Sequence, residues 1–137
     1  FSTLYDDFMA KLGDHIDAGR LIVHKSRSDN QELLDSFENG SVFGVIVDGA
    51  HTMEAVEDDI VNWWPKIKDG GMMFGDDIEW ESVKQGTMRG FNKCGLESYG
   101  ILTGDERWSA QVKGERSKEI LGTLKLVPGM NCMKLDG

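Results

Sequence analysis

Four side chains that could do chemistry follow directly after two short apolar runs of the chain: Asp48, His51, Asp76 and Asp77. The runs span residues 43–47 and 72–74, and the segment 52–68 between them has apolar residues at helical spacing. A strand, a helix and a second strand of these lengths predict a βαβ unit with two parallel strands. The four side chains would then meet at the carboxyl edge of the sheet, where open α/β sheets bind ligands.

Three of these side chains are carboxylates, and carboxylates that converge on one point repel each other unless a cation joins them. Hard divalent cations such as Mg²⁺ take oxygen ligands, commonly carboxylates together with water and substrate oxygens. We therefore predict Asp48, Asp76 and Asp77 as ligands of one divalent cation. For Asp48 the alternative is a structural role as a cap of the next helix.

His51 lies three residues after Asp48, where the next helix is expected to begin. Imidazole exchanges a proton near neutral pH, which suits a general base. We predict His51 as the catalytic base, with Asp48 or the cation alone as the alternative. A histidine at a helix start is also often structural or merely solvated, and the sequence leaves that interpretation open.

Length and composition favour one globular domain over residues 1–137. Hydrophobic residues make up 39% of the chain, which is enough for a core. The formal net charge of −9 argues against nucleic acid and against an anionic membrane surface as partners. Cys94 and Cys132 are too few for a disulfide framework, and no apolar run approaches the roughly 20 residues of a membrane span.

The first residues bear on how the chain relates to a longer protein. It starts at Phe1 without a methionine, and residues 4–12 already show the apolar period of a helix. We expect a fragment of a longer protein, with a processed or trimmed N-terminus as the alternative. No basic segment followed by an apolar one indicates a secretory signal, so we expect a cytoplasmic location.

Periodicity and turn residues predict the remaining elements. Helices are expected at residues 2–18, 28–37, 52–68 and 80–93. Strands are expected at residues 21–24, 43–47, 72–74, 99–102, 108–112 and 124–127. A turn near Gly104 and Asp105 should join two of the strands into an antiparallel hairpin, and residues 115–121 suggest a helical turn.

Three details of the βαβ unit follow from local sequence. The unbroken apolar run 43–47 predicts a strand that is buried on both faces. Pro65 should kink the helix or end it early, and Gly70 with Gly71 should form the turn into the next strand. Trp63 fits the apolar stripe of the helix, so we expect it in the core and its neighbour Trp64 to be half exposed.

The motifs of this unit resemble those of a known family. They are Asp48-Gly49-Ala50-His51, Glu54-Ala55-Val56, Asp58-Asp59, Trp63-Trp64-Pro65, Lys68-Asp69-Gly70-Gly71 and Gly75-Asp76-Asp77. Together they resemble class I S-adenosylmethionine-dependent methyltransferases. The branch they look like is the metal-dependent O-methyltransferases of small molecules, which includes sugar and macrolide O-methyltransferases. The close resemblance covers about residues 43–77, and a looser one runs from Phe1 to about Lys113.

The resemblance implies an α/β fold and a reaction. The fold would be a Rossmann-like three-layer α/β/α sandwich with a mostly parallel sheet, an antiparallel C-terminal hairpin and the N-terminal strands missing. The reaction would be methyl transfer from S-adenosylmethionine to a hydroxyl of a sugar, polyol or natural product, assisted by Mg²⁺ or another divalent cation. It would need no nucleic acid or membrane, and the protein could form a homo-oligomer.

The resemblance also places the cofactor. Ser26 and Ser28 would lie near the adenine, although an ordinary helix cap is the alternative for both. No Gly-x-Gly follows a strand before Asp48, so we expect the isolated chain to bind S-adenosylmethionine weakly or not at all. Glu79 and Trp80 could line the acceptor pocket.

Two other functions stay open at this point. One is a binding or assembly module of the same fold that has lost the cofactor loop. The other is a phosphate-ester hydrolase, which would need further Asp or His ligands at other strand ends.

Overall fold

The computed structural model of the protein describes residues 3–96, 98–102, 108–114 and 130–134. The helices are α1 (Leu4–Asp17), α2 (Gln31–Asp35), α3 (Met53–Trp63) and α4 (Glu81–Lys93). The strands are β1 (Val42–Val47), β2 (Ile67–Gly75), β3 (Ser98–Leu102), β4 (Trp108–Val112) and β5 (Met130–Lys134). A 3-10 turn over Trp64–Lys66 connects α3 to β2.

Three of the four described helices, α1 to α3, begin where a side chain caps the free backbone N–H groups. Thr3 starts α1 through a reciprocal capping box with Asp6, and the Thr52 hydroxyl accepts a hydrogen bond from the Ala55 N–H at 3.2 Å. The predicted helix 28–37 is shorter than expected. Asn30 caps it, because the Asn30 side-chain oxygen accepts a hydrogen bond from the Leu33 N–H at 3.0 Å.

The α3 helix ends early, as Pro65 predicts. It stops at Trp63 instead of residue 68, and the backbone tightens into the 3-10 turn that contains Pro65. Strand β2 then begins at Ile67, so the predicted turn at Gly70 and Gly71 is wrong. These glycines form an irregularity inside the strand, where the register with β1 shifts and Gly70 adopts φ +81°.

The described strands form one sheet in the order β1-β2-β4-β3-β5. Strands β1 and β2 run parallel, which confirms the parallel pair of the predicted βαβ unit. The other three neighbouring pairs are antiparallel, so the prediction of a mostly parallel sheet is wrong for the described strands. Parallel neighbours need a crossover of about a dozen residues or more, and only five residues separate β3 from β4.

Two further predictions for strands are wrong. Residues 21–24 form no strand, because no described strand lies beside them to satisfy ladder hydrogen bonds. Strand β1 is not buried on both faces, since Phe43 and Ile46 are each 64% exposed. It is the terminal strand of the described sheet and has a neighbour on one side only. The predicted turn at residues 104–105, the helical turn 115–121 and the strand 124–127 lie outside the described residues.

The core lies between α3, α4 and the parallel pair of strands. Its buried members are Val56, Ile60, Trp64, Ile67, Met73, Ile78, Val83 and Phe91, with Val45 and Val47 of β1 packed against them. By contrast, α1 contributes no buried residue. Among the described helices, none is long and apolar enough to cross a membrane. The packed part of the molecule is therefore the βαβ unit with α4, and this part carries the predicted site.

Candidate active site

The ends of the two parallel strands hold the predicted acidic side chains. Val47 pairs with Gly75 at the last rung of the β1–β2 ladder, so Asp48 and Asp76 leave the sheet side by side. The Asp76 N–H reaches back to the Val47 carbonyl at 3.4 Å. The parallel pairing therefore brings residues that are 28 positions apart in the sequence to one edge, as predicted.

Asp77 follows with an unusual backbone conformation. Its φ is +58°, and it is the one non-glycine residue with positive φ in the described ranges. Its N–H donates to Oδ1 of Asp76 at 2.8 Å, which holds this tight turn in place. Residues in the left-handed region cost free energy and tend to occur at functional sites. The turn directs the Asp77 side chain toward the loop that carries His51.

His51 and Asp77 form the central contact of the site. Nε2 of His51 lies 2.9 Å from Oδ2 of Asp77, and their side chains are 37% and 29% exposed. Asp48 is close by: ligand atoms of Asp48, His51 and Asp77 all lie within 4.8 Å of one another. The structure thus gathers two of the three predicted metal ligands together with the predicted base.

Asp76 has a different place in the structure. It lines the small cavity beneath the site together with Asp48 and His51. It is not a member of the three-residue group, and its Oδ1 accepts the Asp77 N–H. A cation at this edge could have Asp76 as a further neighbour, while the closest donor set is two carboxylates and one imidazole.

Two residues at the start of α4 also contact His51. The Ser82 hydroxyl donates to the backbone carbonyl of His51 at 2.6 Å. The indole of Trp80 is tilted by 55° against the imidazole, with 4.9 Å between ring centroids. Trp80 lies beside the site, as the sequence suggested, while the contact of Ser82 could not be read from a serine in the first turn of a helix.

A groove of about 480 Å³ adjoins the site along β1. Both predicted cofactor residues, Ser26 and Ser28, line it, and so do Gly49 and Asp48. Trp63 closes one side, because its Nε1–H donates to the Ser28 carbonyl at 3.1 Å. Asp48 therefore faces both the groove and the His51 cluster.

Asp59 is an acidic residue of the groove that belongs to one of the family motifs but was not predicted as a site residue. It lies on α3, is 8% exposed and lines the groove next to Ser28. Burial raises the pKa of the Asp59 carboxyl above its ordinary value, and the hydrogen bond with the Ser28 side chain opposes that rise. The sequence contained a signal for this residue, because an acidic side chain on the core-facing side of an amphipathic helix is unusual.

The comparison with protein families identifies the chain as a class I methyltransferase domain. A family model described as "Methyltransferase domain" matches residues 5–78, more than half of the 137 residues. The chain belongs to this family, which confirms the resemblance to S-adenosylmethionine-dependent methyltransferases. The matched segment contains the groove residues and the whole strand-end cluster.

No curated protein matches the chain. Among solved structures, a crystal structure of a protein from Corynebacterium glutamicum is similar, with a TM-score of 0.57 and 13% sequence identity. The similarity covers 82% of this chain and 57% of that chain, so this chain spans less than two thirds of the solved protein. At this identity the likeness concerns the fold alone.

Proposed function

We propose that the protein transfers a methyl group from S-adenosylmethionine to a hydroxyl oxygen of a small molecule, with a divalent cation assisting. The observation that supports this most is the His51–Asp77 pair at 2.9 Å, placed at the end of β1 beside the groove. The pair combines a proton acceptor with a carboxylate that orients it, which is the arrangement of general-base catalysis. We also propose that the domain has the three-layer α/β/α arrangement that the sequence predicts.

The pair assigns a role to each imidazole nitrogen. Nε2 faces the Asp77 carboxylate, so in the neutral ring it carries the proton and donates it in a hydrogen bond. Nδ1 is then left with a free lone pair. In the proposed reaction the acceptor hydroxyl gives its proton to Nδ1 of His51. The hydroxyl oxygen forms the new bond to the methyl carbon while the bond from that carbon to sulfur breaks.

The groove along β1 suits the cofactor. S-adenosylmethionine, when bound, supplies the electrophilic methyl group. Ser26 and Ser28 offer hydroxyls at one end of the groove, and Gly49 leaves backbone accessible beside Asp48. Because Asp48 faces both the groove and the cluster, a methyl donor bound in the groove would lie next to the cluster of His51.

The strand-end carboxylates suit a divalent cation. Asp48 and Asp77 would hold it, with Asp76 next to them, because their oxygens are the donors that such cations prefer. A bound cation would lower the pKa of the acceptor hydroxyl.

The test is a transfer assay with methyl-labelled S-adenosylmethionine and a panel of sugars, polyols and phenols, with Mg²⁺ or with a chelator. We expect labelled methyl ethers, and less of them with the chelator present. Label found on nitrogen or carbon would contradict oxygen as the acceptor. Binding of S-adenosylmethionine without any transfer would favour the alternative, a non-catalytic module of the methyltransferase fold.

A further inference from the structure

The first turn of α4 contacts His51 at two points that the proposed reaction does not use. One is the hydrogen bond from the Ser82 hydroxyl to the His51 backbone carbonyl, which connects positions 31 residues apart at 2.6 Å. The other is the contact between the Trp80 and His51 rings, with 4.9 Å between centroids. With Asp77, this makes three contacts to His51 from the segment 77–82.

These contacts act on different degrees of freedom of His51. The residue lies in the loop between β1 and α3, so its backbone is not fixed by a helix or strand. The Ser82 hydrogen bond holds the backbone from which the side chain departs. The Trp80 ring restricts the rotation of the imidazole, and Asp77 fixes which nitrogen points toward the carboxylate. A side chain that is 37% exposed would otherwise sample several rotamers.

Within the described part of the chain, no other structural role of Trp80 or Ser82 explains these contacts. Trp80 is 52% exposed, so its indole adds little to the core, and its side chain makes no capping hydrogen bond to α4. The Ser82 hydroxyl donates its hydrogen bond to the backbone carbonyl of His51, in a loop that is distant in the sequence. It does not cap the N–H groups at the start of its own helix. Both side chains serve the loop of His51.

We propose that Ser82 and Trp80 are positioning residues that hold the His51 imidazole in its reactive orientation. The proposal rests on the proposed function, in which His51 is the base. Ser82 acts through the backbone and Trp80 through the ring, and neither exchanges the proton. Through these contacts, the segment 77–82 fixes the orientation in which Nδ1 of His51 faces the acceptor.

Nuclear magnetic resonance of isotope-labelled histidine tests this directly. In the wild-type protein we expect the His51 ring protons to be displaced upfield by the Trp80 indole, and the nitrogen shifts to indicate a proton on Nε2. Ser82→Ala should decrease the upfield displacement of the ring protons and weaken the nitrogen pattern, although Trp80 is still present. Ser82→Thr should restore both observables. Trp80→Phe should keep the nitrogen pattern, and Trp80→Ala should lose it.

Gln85→Ala is the matched control, because Gln85 is an exposed residue of the same helix that pairs with Glu81. It should leave all His51 signals unchanged. Nitrogen shifts of His51 in Ser82→Ala and Trp80→Ala identical to those of the wild type would overturn the proposal, whether or not the protein transfers methyl groups. An active His51→Ala variant would instead overturn the proposed function and leave the resonance result standing.

The transfer assay adds a kinetic readout. We expect Ser82→Ala to lower kcat about tenfold, the rate equivalent of one hydrogen bond, without changing the KM for S-adenosylmethionine. A general loss of stability would raise that KM or reduce the amount of folded protein. An unchanged kcat in a folded Ser82→Ala protein would contradict the positioning role.

Discussion

At the scale of single residues, Asp77 has the most demanding role in the site. It adopts a left-handed backbone at φ +58° and pairs with His51. A residue in this region costs roughly 1–3 kcal/mol, so the surrounding contacts must stabilise it. Asparagine also tolerates this region, and Asp77→Asn therefore removes the charge while leaving the turn intact.

This variant gives a test of the metal at the level of the residue. Calorimetric titration with Mg²⁺ should reveal a site in the wild-type protein, and Asp77→Asn should weaken its affinity by at least about tenfold, because a hard cation loses an anionic oxygen. Asp14→Asn, on the exposed face of α1, is the control and should bind as the wild type does. If Asp77→Asn binds Mg²⁺ as tightly as the wild type, Asp77 is not a ligand. If the wild-type protein does not bind Mg²⁺, the proposed cation site is wrong.

At the scale of elements, the pairing of α3 with α4 holds the site in place. Gly86 and Gly90 allow close approach: a Cβ on Gly90 would lie 2.8 Å from Cβ of Ile60. Glu57 of α3 is 4% exposed and forms ion pairs with Arg89, at 2.6 Å, and with Lys93. These contacts fix α4, whose first turn contacts His51.

The ion pairs make the stability of this helix pair depend on pH. The hydrogen bond from Lys93, with the charges of Arg89 and Lys93, holds the pKa of Glu57 below its ordinary value of 4.5. A lowered folded-state pKa contributes stability that is present above 4.5 and is lost as the pH falls through the folded-state value. We expect the urea concentration at the unfolding midpoint of the wild-type protein to decrease as the pH is lowered below 4.5.

Glu57→Gln should have a lower midpoint at neutral pH and a flatter acid dependence, because it has no carboxylate to protonate. Glu54→Gln, at an exposed position of the same helix, is the matched control and should follow the wild type. Parallel acid profiles for Glu57→Gln and the wild type would show that this carboxylate does not link pH to stability.

The sequence predicted the βαβ unit because periodicity and caps are local signals. The stripe of Val56 and Ile60 and the cap at Thr52 both lie where the pattern puts them. The two tryptophans are reversed: Trp64 is 9% exposed and in the core, while Trp63 is only partly buried. Helical periodicity assumes a constant rotation per residue, and the backbone tightens into the 3-10 turn at this point.

The site shows the same division between local and tertiary signals. The grouping of Asp48, His51 and Asp77 follows from parallel strand ends and could be predicted. The contact of Ser82 depends on how α4 packs against the loop of His51, and no local pattern in the sequence encodes that packing. The exposure of Phe43 and Ile46 likewise depends on which strands lie beside β1, which an apolar run does not reveal.

At the scale of the whole molecule, the groove and the cluster meet at one residue. Asp48 directly follows β1, lines the groove with Ser26 and Ser28, and has a donor atom within 4.8 Å of those of His51 and Asp77. The fold thereby places a candidate cofactor site and a candidate acceptor site on the two sides of one strand end. At this junction, His51 is the proposed base.

The most direct test is the rate of methyl transfer by His51→Ala compared with the wild type and with His15→Ala. We expect His51→Ala to lower turnover about 10²–10⁴-fold, the usual contribution of a positioned general base. Its affinity for S-adenosylmethionine should change little, because His51 does not line the groove. His15 is exposed on α1, so His15→Ala should be as active as the wild type. Near wild-type turnover by a folded His51→Ala protein would contradict the assignment and transfer the role of base to Asp48 or to the cation alone.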